Sequence, residues 1–324
     1  MRRSIRFTLL AAVLTTCGVS GAAAEGANIA IIGGRADDPF FAKVKRGIDD
    51  AEMLVKAHGG SVNYLALQSY DNLGPDAAEL IRTAISQNVD GIAAPNWVPE
   101  AQDQAFTAAL DAGIPVLLYN AGGTEKAGQL GALNYIGTED YSAGLAAGQY
   151  AAENGARNII CVNTVPGAAN LEARCQGIID AATENDASAK QLPLPASSFG
   201  DPTAVSEAIK ATILQDQNID AVITQGNQDA DSGANAIMQA AAQDRVMLGT
   251  FNLDQASLNR IKEGTQKFVI DQQGYLQGYL AIFLLHSFVN YAMESPSKPI
   301  LTGPTIVDAS NIDATLAGVD AGVR

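Results

Sequence analysis

Asn28-Ile29-Ala30-Ile31-Ile32-Gly33-Gly34, followed by Arg35-Ala36-Asp37-Asp38-Pro39-Phe40-Phe41, is the stretch on which the fold turns. Its first half is a short apolar run of the kind buried on both faces of a parallel sheet. Beyond its second half, Phe41, Val44, Ile48, Ala51 and Val55 recur at spacings of three and four, and Gly59-Gly60 supplies a stop. Strand, turn and helix thus place two acidic side chains and two phenyl rings at the carboxyl end of a strand, where open α/β sheets bind small ligands. Carboxylates accept hydrogen bonds from hydroxyls and ring faces cover C–H groups, so the combination suits a ligand that carries both.

The same pattern runs along the chain. Apolar runs at 28–34, 62–67, 91–95, 115–119, 158–163, 189–194, 221–224, 246–250 and 267–271 alternate with helical periodicity, which predicts parallel sheets covered by helices on both faces. It also occurs twice. Asn28 to Ile32 leads to Gly47-Ile48-Asp49-Asp50-Ala51, and Asn158-Ile159-Ile160-Cys161-Val162 leads at the same separation to Gly177-Ile178-Ile179-Asp180-Ala181. Leu118-Tyr119-Asn120 is matched by Thr250-Phe251-Asn252. A period of about 130 residues is too long for a solenoid and predicts two similar doubly wound lobes facing each other across a cleft. The strand ends then bring Asp38, Asn96 and Asn120 opposite Asn170, Asn227 and Asn252, all neutral except Asp38. Asn and Asp also serve as turn and cap residues; their paired occurrence favours a ligand site.

The first 24 residues read as an export leader: Arg2, Arg3 and Arg6, an apolar centre from Phe7 to Leu14, and Ala22-Ala23-Ala24 before Glu25. This predicts a periplasmic protein, with lipid anchoring through Cys17 as a less favoured alternative. A net charge of -15 without a basic patch argues against nucleic acid as a partner. Cys161 and Cys175 remain after the leader; in an oxidising compartment they form a disulfide, the alternative being two buried thiols. An enzyme is not indicated. There is no G-x-G-x-x-G after the first strand, no nucleophile elbow and no phosphate loop. His58 and His286 are far apart and read as helix residues, so neither a metal site nor a cofactor is expected.

Taken in order and spacing, these motifs resemble the periplasmic monosaccharide-binding proteins of the ribose type, the solute receptors of ABC importers. Asp38-Pro39-Phe40-Phe41 is similar to that family's Asn-Pro-Phe-Phe element, whose side chains hold and sandwich the sugar. Ala112-Gly113-Ile114-Pro115-Val116 resembles the step into its second ligand loop, and Ile136-Gly137-Thr138-Glu139-Asp140-Tyr141 its first crossing between lobes. Arg174-Cys175-Gln176-Gly177 stands in the helix start that carries sugar contacts. Asn227 stands at a sugar-binding asparagine, Asn252 where an aspartate is usual, and Asp271-Gln272-Gln273 at the hinge glutamine. The resemblance implies three hinge crossings near residues 137, 272 and 302, one lobe of 26–137 plus 273–302, and another of 138–272 plus 303–324.

It further implies a monomeric receptor that captures a neutral monosaccharide or polyol by lobe closure and delivers it to permease subunits in the inner membrane. Presentation of the ligand to a chemotaxis or sensor-kinase partner is the alternative. The expected ligand set is Asp38, Phe40, Phe41, Asn96, Trp97, Asn120, Asn170, Glu172, Asn227, Asn252 and Gln272. For Trp97 the choice is between covering a sugar face and packing on the lobe surface. For Glu172 it is between ligand and helix N-terminus. Tyr70, Phe199 and Tyr275 are weaker candidates for the same role, ordinary packing being the favoured reading of each. Asn120-Ala121 and Asn170-Leu171-Glu172 depart from the ribose-type pattern, which has charged residues there, so ribose itself is not assumed.

Overall fold

The computed structural model describes residues 26–324. The leader and Cys17 lie outside the described residues. Five strands, β1 (Asn28–Gly33), β2 (Ser61–Ala66), β3 (Gly91–Ala94), β4 (Val116–Tyr119) and β5 (Tyr135–Thr138), build the first sheet with β11 (Ile300–Gly303) at its edge. Five more, β6 (Asn158–Asn163), β7 (Ser188–Pro193), β8 (Ala221–Thr224), β9 (Met247–Phe251) and β10 (Phe268–Asp271), build the second with β12 (Thr305–Val307). The strand orders are β11-β5-β4-β3-β1-β2 and β12-β10-β9-β8-β6-β7, the same doubly wound order in each sheet. All pairings are parallel except that of β12 with β10. In this order the chain reverses direction across the sheet between β1 and β3, and between β6 and β8. Such a switch point opens a crevice at the carboxyl strand ends.

The nine apolar runs of the sequence all become strands, and β5, β11 and β12 were not anticipated as strands. Those three are short and lie beside the crossings, β11 and β12 at the sheet edges and β5 between β11 and β4. Pro299 precedes β11 and Pro304 separates it from β12, which leaves runs too short to show a period-two pattern.

The repeated glycines have a packing reason. Helix α1 (Pro39–Ala57) starts on Pro39, with the Asp38 carboxylate capping Phe40 N–H, and lies against α10 (Gly274–Tyr291). A Cβ on Gly47 would collide with the Tyr275 carbonyl, and one on Gly278 with that of Val44. In the second half, α5 (Asp140–Glu153) lies on α6 (Ala169–Glu184), where Gly144 meets the Arg174 carbonyl and Gly177 that of Tyr141. Each pair joins the first helix of one sheet to the helix that follows a crossing from the other.

Cys161 of β6 and Cys175 of α6 form a disulfide, with Cα atoms 5.6 Å apart. No helix of the described residues is long and apolar enough to cross a membrane.

Candidate functional site

The carboxyl ends of both sheets face one cavity between them. Its walls are aromatic. Phe40 and Phe41 sit edge to face at 5.4 Å, Phe41 meets Trp97 at 5.8 Å, and Tyr70 meets Phe199 at 4.7 Å. Phe41 and Trp97 come from the first half and Phe199 from the second, and all line the cavity. The halves also touch at the rim. Ala169 N–H donates to the Trp97 carbonyl at 2.7 Å, Arg35 Nη1 donates to the Phe199 carbonyl at 3.3 Å, and Lys43 Nζ donates to the Leu253 carbonyl.

The floor is polar and linked. Arg174 on α6 donates through Nε to Asp140 Oδ1 at 2.8 Å and through Nη2 to Gln272 Oε1 at 2.6 Å. Gln272 Nε2 in turn donates to Asn252 Oδ1 at 2.5 Å. This chain leaves Arg174 Nη1 and Asn252 Nδ2 without partners among the described residues. Burial drives the Asp140 carboxyl up to about 6 although Arg174 beside it pulls the other way, so desolvation outweighs the attraction.

Asn120 and Asn252 occupy equivalent places, one residue past β4 and β9, with φ of 63° and 70°. Asparagine tolerates this left-handed region better than other residues with a Cβ, and the turn aims each amide at the cavity mouth of its strand. The Asn120 amide makes no hydrogen bond among the described residues. Asn170 Oδ1, Gln225 Oε1 and Gln228 Oε1 are buried without partners, and all three residues line the cavity. Orphaned buried polar atoms are costly unless something fills the space with hydrogen-bonding groups.

Of the expected set, Asp38, Phe40, Phe41, Trp97, Asn120, Asn170, Asn252 and Gln272 line the cavity. Asn96, Glu172 and Asn227 do not. Asn96 Nδ2 donates to Asp103 at 2.7 Å, and Asn227 Nδ2 to Asp254 at 3.0 Å, while the Oδ1 of each is buried without a partner among the described residues. Glu172 Oε1 accepts from Gly167 N–H at 2.8 Å and from Asn163 Nδ2 at 3.1 Å, which holds the loop entering α6. Tyr275 stays with packing: its ring stacks on Tyr279 at 6.0 Å and its hydroxyl donates to Asp50 at 3.0 Å. Tyr70 and Phe199, the other weaker candidates, are wall residues.

Thr164, Arg174, Gln225, Gln228 and Asp229 also line the cavity and were not in the expected set. Arg174 had a signal, since it lies one helical turn beyond Asn170 on the same face. Asp229 had none that separates it from an acidic residue in the first turn of any helix. Together they add charged groups to the cavity beyond Asp38.

Comparison with known proteins follows this geometry. Residues 29–291 match the family of periplasmic binding protein domains. Over 293 residues the chain is 28% identical to a xylose/arabinose-binding protein, XylF, of Sulfolobus acidocaldarius, spanning 86% of this chain and 70% of that one. It is similar to the crystal structure of a carbohydrate transporter from Acidothermus cellulolyticus 11B in complex with myo-inositol, at 29% identity and a TM-score of 0.81, covering 92% of this chain and 99% of that one. It shares its fold with an ABC transporter solute-binding protein from Agrobacterium vitis with bound D-fucose, at 21% identity and a TM-score of 0.78, covering 90% and 99% of the two chains.

Proposed function

The chain belongs to the family of periplasmic binding proteins, receptors rather than enzymes, and on that premise we propose that it captures a neutral monosaccharide or polyol in the periplasm and delivers it to an ABC importer. The observation that carries this reading is the cavity itself. Aromatic faces stand over a floor of amide groups whose free donors and acceptors are matched by a ring or chain of hydroxyls. Pentose, inositol and deoxyhexose ligands named for the similar proteins are all of this kind.

Capture works by hinge closure. The moving bodies are 26–137 with 273–302, and 138–272 with 303–324, joined at the crossings after β5, after β10 and between β11 and β12. A ligand that bridges Asn120 and Asp38 on one side to Asn252, Asn170 and Arg174 on the other binds both bodies only when they are together, so it shifts the hinge equilibrium by its preference for that state. Permease subunits then recognise the joined lobes.

A thermal-shift screen of pentoses, hexoses, deoxy sugars, inositols and acyclic polyols tests the reading. At least one is expected to raise the melting temperature in a saturable way, with a smaller radius of gyration by X-ray scattering. No stabilisation by any of them removes the sugar-receptor reading; stabilisation without compaction removes the hinge.

A further inference from the structure

Two carboxylates reach the cavity from opposite lobes, and they are held differently. Asp38 is used on both oxygens: Oδ1 accepts from Phe40 N–H at 2.8 Å and Oδ2 from the Tyr70 hydroxyl at 2.7 Å. Asp229, in the first turn of α8 (Asn227–Gln239), accepts only from Thr164 Oγ1, through Oδ2 at 3.0 Å. Its Oδ1 has no partner among the described residues, although the residue is only 2% exposed. Nor does a cation among the described residues pair with it. Arg174 is bound to Asp140 and Gln272, Lys43 to the Leu253 carbonyl, and Arg35 to Asp37. Asp38 is the acidic group whose charge reaches it; Glu172 is engaged with Asn163 and Gly167, and Asp254 with Asn227 and Ser257. A buried carboxylate with a free oxygen and no counter-ion costs stability. Its retention in a ligand cavity calls for a ligand group that donates to it.

We propose that Asp229 is the specificity-determining residue of the second lobe, with Thr164 fixing its rotamer, and that its free Oδ1 accepts a hydroxyl of the bound polyol. The inference rests on the sugar-receptor reading above and deepens it. An ionised carboxylate only accepts, so the position selects ligands that present a donating hydroxyl there and rejects those with hydrogen or an ether oxygen in its place.

Proton linkage follows from the same geometry. Burial, and then the charge of Asp38 across the cleft, push Asp229 up to about 7, with the Thr164 hydrogen bond opposing. A hydroxyl donated to Oδ1 favours the charged form, so capture expels a proton and tightens as pH rises through that value.

Calorimetric titrations of the full chain with myo-inositol, D-xylose and L-arabinose at pH 6 and pH 8, in two buffers of different ionisation enthalpy, test this. The wild type is expected to bind at least one probe about tenfold more tightly at pH 8, with proton release to the buffer. Asp229→Asn is expected to bind that probe at least about tenfold more weakly at pH 8, with most of the pH dependence and proton release lost and only the smaller slope of Asp140 near pH 6 remaining. Thr164→Val, a milder change, is expected to weaken binding while keeping the pH slope. Wild-type binding that is flat in pH, or an Asp229→Asn protein with wild-type affinity and slope, overturns the role of Asp229 and leaves the receptor reading intact. Should Asp229→Asn fail to fold, the wild-type slope and the Thr164→Val protein decide alone. Wild type that binds none of the three probes overturns this inference and the sugar reading together.

Discussion

Replacing Arg174 by methionine separates what the cavity floor does for stability from what it does for binding. Arg174 and Asp140 are both almost fully buried, with Nη2 and Oδ1 2.7 Å apart. Removing one partner of a buried pair leaves an uncompensated charge, at about 3–5 kcal/mol. Here the protein has a cheaper escape. Asp140 already titrates near 6, and protonating it at pH 8 requires only about two pH units of work, about 3 kcal/mol. The carboxyl therefore goes neutral in Arg174→Met, and the loss at pH 8 is about 3 kcal/mol plus about 1 for the hydrogen bond to Gln272.

The sign with pH follows. Asp140 is raised above its unfolded value in the wild type, so its contribution is fully present below about 4 and is lost as pH rises through 6. In Arg174→Met the folded value moves further up, and stability keeps falling between pH 6 and pH 8, by about 1.4 kcal/mol per unit, where Asp140 adds no further slope to the wild type. The difference between the two proteins is thus expected to be about 4 kcal/mol at pH 8 and about 1 kcal/mol at pH 5, read from urea unfolding at each pH. A second change, Asp140→Leu, removes the stranded carboxyl and is expected to restore most of the loss. It does not restore ligand affinity, because Gln272 and Asn252 still lack the arginine that orients them. An equal loss at pH 5 and pH 8, or a double variant as unstable as the single one, would refute the reasoning.

Asn120→Gly and Asn252→Gly keep the left-handed backbone and remove the amide, so each is expected to lose at least about 1 kcal/mol of ligand binding with little change in unliganded melting; unchanged affinity in both would exclude these amides from the site. Replacing Cys161 and Cys175 by alanine opens a loop of 14 residues in sequence and is expected to cost on the order of 3 kcal/mol in urea unfolding without altering ligand affinity. Phe199→Ala removes the ring that Tyr70 meets and that Arg35 covers at 5.5 Å across the rim, so scattering is expected to show a larger radius at subsaturating sugar; an unchanged closure curve would mean the rim contacts do not bias the hinge. Gly177→Ala brings a methyl onto the Tyr141 carbonyl and is expected to destabilise by about 1–3 kcal/mol, visible as a lower melting temperature.

By itself the sequence determined the elements that depend on neighbours along the chain. The buried parallel strands are continuous apolar runs, the helices show their spacing, and the repeat at 28 and 158 doubled the whole arrangement. Even Asn120 and Asn252 were visible, because a strand end followed by asparagine occurs at the same place in each half. The crossings are legible as places but not as strands: β5 is only four residues long, and β11 and β12 pair with β5 and β10, which lie earlier in the chain.

The choice among polar side chains near the strand ends belonged to the tertiary structure. Asn96, Asn227 and Glu172 stand at the right positions in sequence, yet none lines the cavity: Asn96 and Asn227 each donate to a nearby aspartate, and Glu172 accepts from its own loop. Arg174 and Asp229 reach the cavity because helix packing turns their faces towards the other lobe. Whether a polar group serves its own turn or a ligand is decided by which partners lie within about 3 Å. That distance is set by two lobes whose contact no local pattern records.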